Sequence, residues 1–159
     1  MFKIDIHTHI LPENLNEVTN TFSDPRFLRM DAIDDKTAML RKDEKAFRKV
    51  DCNCWNHRRR IQECVNASVD VQVLSIIPVL FSYWAKDDEG LTLSKFLNNH
   101  IAEVVQDEPN RFIGLGTVPL QNPNMAITEM DRIVNELKLP GIEIGSNVNG
   151  ENLSDEKFH

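Results

Sequence analysis

Apolar and polar residues alternate from the first positions of the chain. Phe2, Ile4 and Ile6 interleave with Lys3, Asp5 and His7, and His9 continues the polar series. A period of two predicts a strand whose successive side chains point to opposite faces. Asp5, His7 and His9 then share one face. Phe2, Ile4 and Ile6 form the other, expected to lie under helices. Leu11-Pro12 ends the run. Residues 70–78 (Asp-Val-Gln-Val-Leu-Ser-Ile-Ile-Pro) are rich in β-branched and apolar types, which predicts a strand buried on both faces. Arg111 to Pro119, with Gly114 and Gly116, predicts a third core strand, and Ile142 to Gly145 a fourth.

Between these runs the period changes to that of a helix. Asn56 is placed to cap a helix over 57–67, with Ile61, Cys64 and Val65 as its inner stripe. Over 91–108, Leu93, Phe96, Leu97, Ile101, Val104 and Val105 recur at three and four, until Pro109. Asn122-Pro123 opens another helix, with Ala126, Ile127, Met130, Ile133, Val134 and Leu137 expected inside. The rest reads as connection. Pro12 to Phe22 is a short helix or loop, 23–36 a loop, and 37–50 two short strands around a turn at Asp43-Glu44. Phe81, Tyr83 and Trp84 fall in a loop. From Asn147 to His159 the chain reads as loop and the start of a helix.

Strands joined by helical crossovers imply α/β architecture with a parallel sheet. A full (β/α)8 TIM-like barrel needs about 250 residues and is rarely shorter than about 200. At 159 residues the expectation is the N-terminal half of such a barrel: one partial domain over 1–159, with an insertion at about 13–55. A half barrel leaves sheet edges and apolar surface uncovered.

Charge narrows the partners. A net charge of −7 argues against nucleic acid or an anionic membrane, which call for a basic surface. Arg58-Arg59-Arg60 reads as a solvated helix face. No apolar run approaches the roughly 20 residues of a membrane helix. No leader is expected before a strand that begins at residue 2. Three cysteines make a disulfide framework unexpected and point to the cytoplasm. Cys52, Cys54, His57 and Cys64 match no common zinc-finger spacing. Gly114-x-Gly116 is too short for a dinucleotide fingerprint or a P-loop.

The candidate chemistry is at the start. Two imidazoles one residue apart, at the C-terminal end of a barrel strand, stand where barrel enzymes keep their active sites. They suit a divalent metal, with His7 and His9 as nitrogen ligands.

The segment Ile4-Asp5-Ile6-His7-Thr8-His9-Ile10-Leu11-Pro12 resembles the opening of the amidohydrolase superfamily in its branch of metal-dependent decarboxylases. Further blocks follow in order: Ala46-Phe47-Arg48-Lys49-Val50, Asn53-Cys54-Trp55, Val71-Gln72-Val73-Leu74-Ser75, Pro78-Val79-Leu80-Phe81-Ser82-Tyr83-Trp84-Ala85-Lys86, Leu97-Asn98-Asn99, Arg111 to Pro119 and Pro140 to Gly145. Together they are similar to the aminocarboxymuconate-semialdehyde decarboxylase family of tryptophan breakdown. The resemblance implies non-oxidative decarboxylation of a small di-acid in the kynurenine pathway, upstream of quinolinate. It implies zinc, with another divalent metal as the alternative, held partly by His7 and His9. It implies that Arg48 binds a substrate carboxylate, with Lys42 beside it and Phe81 and Trp84 as pocket walls. The family's other metal ligands and its acid–base histidine follow later strands. His57, His100 and His159 do not match them, so no catalytic acid or base is identified here. The family forms homodimers in full-length form. This chain is then expected to be an inactive fragment or short isoform. Two other readings are a metal-dependent hydrolase or phosphoesterase of the same barrel type, and a non-catalytic half barrel that associates with the full-length subunit.

Overall fold

Four parallel strands form the main sheet in the order β1 (Ile4–His9), β5 (Val71–Ser75), β6 (Phe112–Gly116) and β7 (Gly141–Ile142) in the computed structural model. The structure describes residues 1–158, and His159 lies outside them. Helices α2 (His57–Ala67), α3 (Asp87–Asp107) and α4 (Pro123–Asn135) make the crossovers. A second sheet is inserted after β1 and the short helix α1 (Leu15–Thr19). It is antiparallel, ordered β2 (Arg29–Asp34), β3 (Thr37–Lys42) and β4 (Lys45–Asp51). A small hairpin, β8 (Asn147–Val148) and β9 (Glu151–Asn152), and a 3-10 turn at Glu156–Phe158 follow β7, where a helix start was expected.

The alternation of the first strand is interrupted. Asp5 pairs with Gln72 but Thr8 pairs with Leu74, so β1 spends one residue more than β5 between these rungs. That bulge changes the phase of the strand. The Asp5 side chain accepts from Gln72 Nε2 at 3.3 Å, whereas the His9 ring meets Ser75 Oγ, and Gln72 and Ser75, three residues apart in β5, point to opposite faces. The expectation that Asp5 shares a face with His7 and His9 is therefore corrected. Ile4 and Ile6 are 49% and 77% exposed, and Phe2 is exposed as well, not covered by helices.

Two glycines show which face the helices cover. A Cβ on Gly114 would stand 2.5 Å from Ile101, and one on Gly116 2.8 Å from Ile133. Both positions must stay bare for α3 and α4 to approach. The opposite face is open, and Ile113 on it is 38% exposed. For the same reason β5 is not buried on both faces. Only Leu74 and Ser75 are buried, and Val71 to Val73 are half-buried.

The core lies between sheet and helices. Leu15, Leu74, Leu93, Leu97, Ile101, Phe112 and Ile133 are sealed there. α3 starts one turn before the expected residue 91, with Asp87, Asp88 and Glu89 in its first turn favoured by the helix dipole. α2 matches its expected span, and Asn56 accepts from Arg59 N at 3.0 Å. Its stripe is narrower than expected, because Val65 is exposed. In α4 the buried stripe is Ala126, Glu129 and Ile133, while Ile127, Met130 and Val134 face out. The cause is one residue of rotation in favour of a buried acid. Glu129 accepts from Asn98 Nδ2 at 2.7 Å and from Nη2 and Nε of Arg132 at 2.7 and 2.9 Å. Asn98 also bridges to both backbone groups of Thr117. Hydrophobicity alone puts glutamate outside, whereas paired burial puts it in.

The loop expected over 23–36 holds a strand, β2, ion-paired to β3 through Asp31 and Arg41 at 2.6 Å. The turn between β3 and β4 is as expected. Asp43 and Glu44 have φ of 52° and 59°, the left-handed pair of a tight hairpin. Among the described residues no helix is long and apolar enough to cross a membrane.

His100 is packed within α3, and its Nε2 has no partner among the described residues. Burial, then the charge of His57, lowers its pKa from 6.5 to about 4. The unfolded chain therefore binds the extra proton first. The native state carries no penalty above about pH 6.5. It loses about 1.4 kcal/mol per unit as pH falls toward 4, up to about 3 kcal/mol. Urea midpoints measured from pH 7 to 4 should fall less steeply in His100→Gln. An unchanged slope would contradict the assignment.

Candidate metal centre and adjoining cavity

His7 and His9 stand in the C-terminal half of β1, His7 within the bulged segment and His9 beyond it. Their ring centroids are 5.1 Å apart and the planes meet at 78°. Two imidazoles on one tetrahedral ion, with metal–nitrogen bonds of about 2.0–2.1 Å, place their centroids about 5 Å apart. The observed spacing admits one shared cation. His9 Nδ1 lies 3.0 Å from Ser75 Oγ, and Ser75 Oγ donates to the Thr8 carbonyl at 3.4 Å. That chain assigns the proton to Nδ1 and leaves the Nε2 lone pair free. Burial lowers the His9 pKa, the charge of Glu143 works against it, and His7 lowers it further. A neutral ring at pH 7 is the form that binds metal. Among the described residues no group of three or more His, Cys, Asp or Glu side chains is gathered to hold a metal.

A cavity of about 450 Å3 opens beside His9, lined also by Leu11, Phe47, Arg48, Cys54 and Val79. Arg48 projects from β4 opposite Leu40, is exposed, and has no ion-pair partner among the described residues. A second cavity of about 540 Å3 shares Pro78 and Val79 with the first. Lys42, at the end of β3, lines it together with Phe81, Tyr83, Trp84 and Glu143. The structure therefore groups His9 with Arg48, and Lys42 with Phe81 and Trp84, across one shared wall. His7 lines neither cavity. Trp84 is also a packing residue, with the Arg26 guanidinium 4.1 Å over its ring and Phe27 at 4.7 Å.

Four contributors escaped the sequence reading. Ser75 was only part of an apolar run. Tyr83 stacks on Phe81 at 5.5 Å, and its Oη accepts from Gly145 N at 3.0 Å, tying this wall to the end of β7. Glu143 follows β7, donates its N–H to the Gly116 carbonyl at 2.8 Å, and has one carboxylate oxygen sealed without a partner. Arg60, expected on a solvated face, is half-buried and donates to the carbonyls of His9 and Asn53. Only the aromatic run at 81–84 offered a visible signal. The other three depend on contacts across the fold. His57 is the first residue of α2, as the expected span places it, and its Nε2 meets Asp107 at the far end of α3 at 2.6 Å. The three cysteines are free thiols.

The chain is similar to several known proteins. A sequence profile of the amidohydrolase family matches residues 4–158. The chain is 48% identical over 96% of its length to 2-amino-3-carboxymuconate-6-semialdehyde decarboxylase of Dictyostelium discoideum, covering 43% of that protein. It is 34% identical over 98% of its length to the Caenorhabditis elegans protein of the same name, covering 44% of it. The chain thus spans less than half the length of these curated relatives. Among solved structures, it superposes on 5-carboxyvanillate decarboxylase from Novosphingobium aromaticivorans, which was crystallised with manganese. The TM-score is 0.73 at 21% identity, over 99% of this chain and 45% of the other. That likeness is to part of a TIM-barrel decarboxylase and agrees with a half barrel.

Proposed function

This chain belongs to the amidohydrolase family, and on that footing we propose that it is the N-terminal half of a metal-dependent decarboxylase acting on 2-amino-3-carboxymuconate semialdehyde. The observation that carries the reading is the cavity that brings His9 and the unpaired Arg48 together. His7 and His9 would supply two of the metal's nitrogen donors, His9 with its Nε2 left free by the contact of Nδ1 with Ser75. The rest come from later strands, since three protein ligands are usual. Zinc is the proposed ion, and the manganese of the Novosphingobium structure supports a divalent metal more generally. When bound, the ion supplies Lewis acidity at the reacting end of the cavity.

This chain's own residues position the substrate. Arg48 offers a guanidinium fork that grips a carboxylate through two parallel hydrogen bonds. Lys42 neutralises negative charge from the adjoining cavity. Phe81 and Trp84 wall that cavity and exclude water. Holding a di-acid between a cation and a metal fixes its reacting carbon, which is where an enzyme of this kind gains rate. The reaction is a non-oxidative carbon–carbon cleavage of tryptophan catabolism. We place it in the cytoplasm, on the evidence of three free thiols, and in a full-length homodimer.

The test is carbon dioxide release from the semialdehyde by metal-loaded protein. A full-length barrel containing this chain should turn over, and residues 1–159 alone should not. A full-length protein that cleaves phosphodiesters and leaves the semialdehyde untouched would overturn the proposal.

A further inference from the structure

A guanidinium taken from water without a carboxylate partner needs a reason. Arg60 is half-buried on the inner side of α2, and burial pulls its pKa below the ordinary arginine value. It makes no ion pair among the described residues. Its neighbours Arg58 and Arg59 are exposed and pair with Asp107 and Glu63. Arg60 instead spends three hydrogen bonds on two backbone carbonyls. Nη2 donates to His9 O at 2.6 Å and to Asn53 O at 2.9 Å, and Nε donates to Asn53 O at 3.0 Å. One of these carbonyls belongs to a candidate metal ligand. The other belongs to the 3-10 turn Cys52–Cys54, which is tied to the same strand end through Leu11 N and the Cys54 carbonyl at 2.8 Å.

His9 is consequently held at two points. Its imidazole is fixed at Nδ1 by Ser75 Oγ, and its backbone by Arg60. β1 carries a bulge between Asp5 and Thr8, one residue short of His9. A bulge interrupts the ladder that would otherwise fix the strand end, and a brace from outside the strand replaces that support. We infer that Arg60 is a positioning residue for the metal centre, locking the end of β1 so that His9 Nε2 stays aimed at the ion shared with His7. The inference rests on the metal reading proposed above. Partners that orient a ligand change metal affinity by about 10- to 100-fold when lost.

The test is zinc titration of the full chain, followed by histidine side-chain 1H–15N spectra that report both affinity and tautomer. Wild type should bind through His7 and through His9 Nε2, with His9 protonated at Nδ1. Arg60→Gln should weaken zinc by about 10-fold or more and broaden or shift the His9 signals in the metal-free chain. Arg60→Lys, which keeps the charge but reaches fewer acceptors, should fall between. Arg59→Gln, altered on the exposed neighbour, should match wild type. Wild-type affinity in a folded Arg60→Gln chain would overturn this inference and leave the metal reading intact. A wild-type chain that takes zinc at neither histidine would overturn both. If Arg60→Gln unfolds, Arg60→Lys decides: weakened zinc supports the role, and unchanged zinc refutes it.

Discussion

Replacing His7 and His9 together by alanine removes divalent metal from the protein. The magnitude follows from the donor count. The described residues gather no third metal-binding side chain beside this pair, so losing both imidazoles leaves the half barrel with no donor set. Affinity should fall by more than about 100-fold, beyond what losing an orienting partner alone costs. The fold should survive. His7 is exposed, and the His9 ring has one side-chain partner, Ser75. Equilibrium dialysis with zinc or manganese reads the effect, and thermal melting reports the fold. Stoichiometric metal in a folded double variant would contradict the ligand assignment.

The second large effect falls on Arg48. In the full-length decarboxylating protein, Arg48→Ala should lower kcat/KM by about 100- to 1000-fold. Hydrogen bonds to charged groups are worth about 1.5–3 kcal/mol each, and a lost bidentate pair removes two that are not fully additive. Each 1.4 kcal/mol is a factor of ten in rate. Arg48→Lys should fall between, because an ammonium offers charge without the fork. The arginines at 26, 41 and 132 are each committed to a carboxylate, at 2.6, 2.6 and 2.7 Å, whereas Arg48 lines the cavity that His9 shares with Phe47 and Val79. A loss smaller than about threefold would remove Arg48 from the substrate site.

Where period and punctuation agreed, the sequence was readable. Asn56 caps the helix it was expected to cap, the helix expected at Asn122-Pro123 opens there, and the parallel order of strands followed from the crossovers. Misreadings arose where one contact outweighed a local pattern. The bulge in β1 reversed Asp5 relative to His9, and no periodicity announces an added residue. Glu129 turned α4 by one position because Arg132 and Asn98 satisfy it inside. Residues 29–34 carry alternating charge that suits a loop, yet form an edge strand because β3 offers a partner and Arg41 pairs with Asp31. The site divided in the same way. The two histidines announce themselves by type and spacing, whereas Arg48 and the aromatic wall were legible only through the family resemblance. Ser75, Glu143 and Arg60 are functional candidates only through what the fold sets against them.

The most direct test is X-ray absorption at the zinc edge of the metal-loaded chain. Two imidazole scatterers at about 2.0–2.1 Å, lost in the variant without both histidines, are the expected spectrum. A shell of oxygen or sulfur with no imidazole signature would contradict a cation shared by His7 and His9.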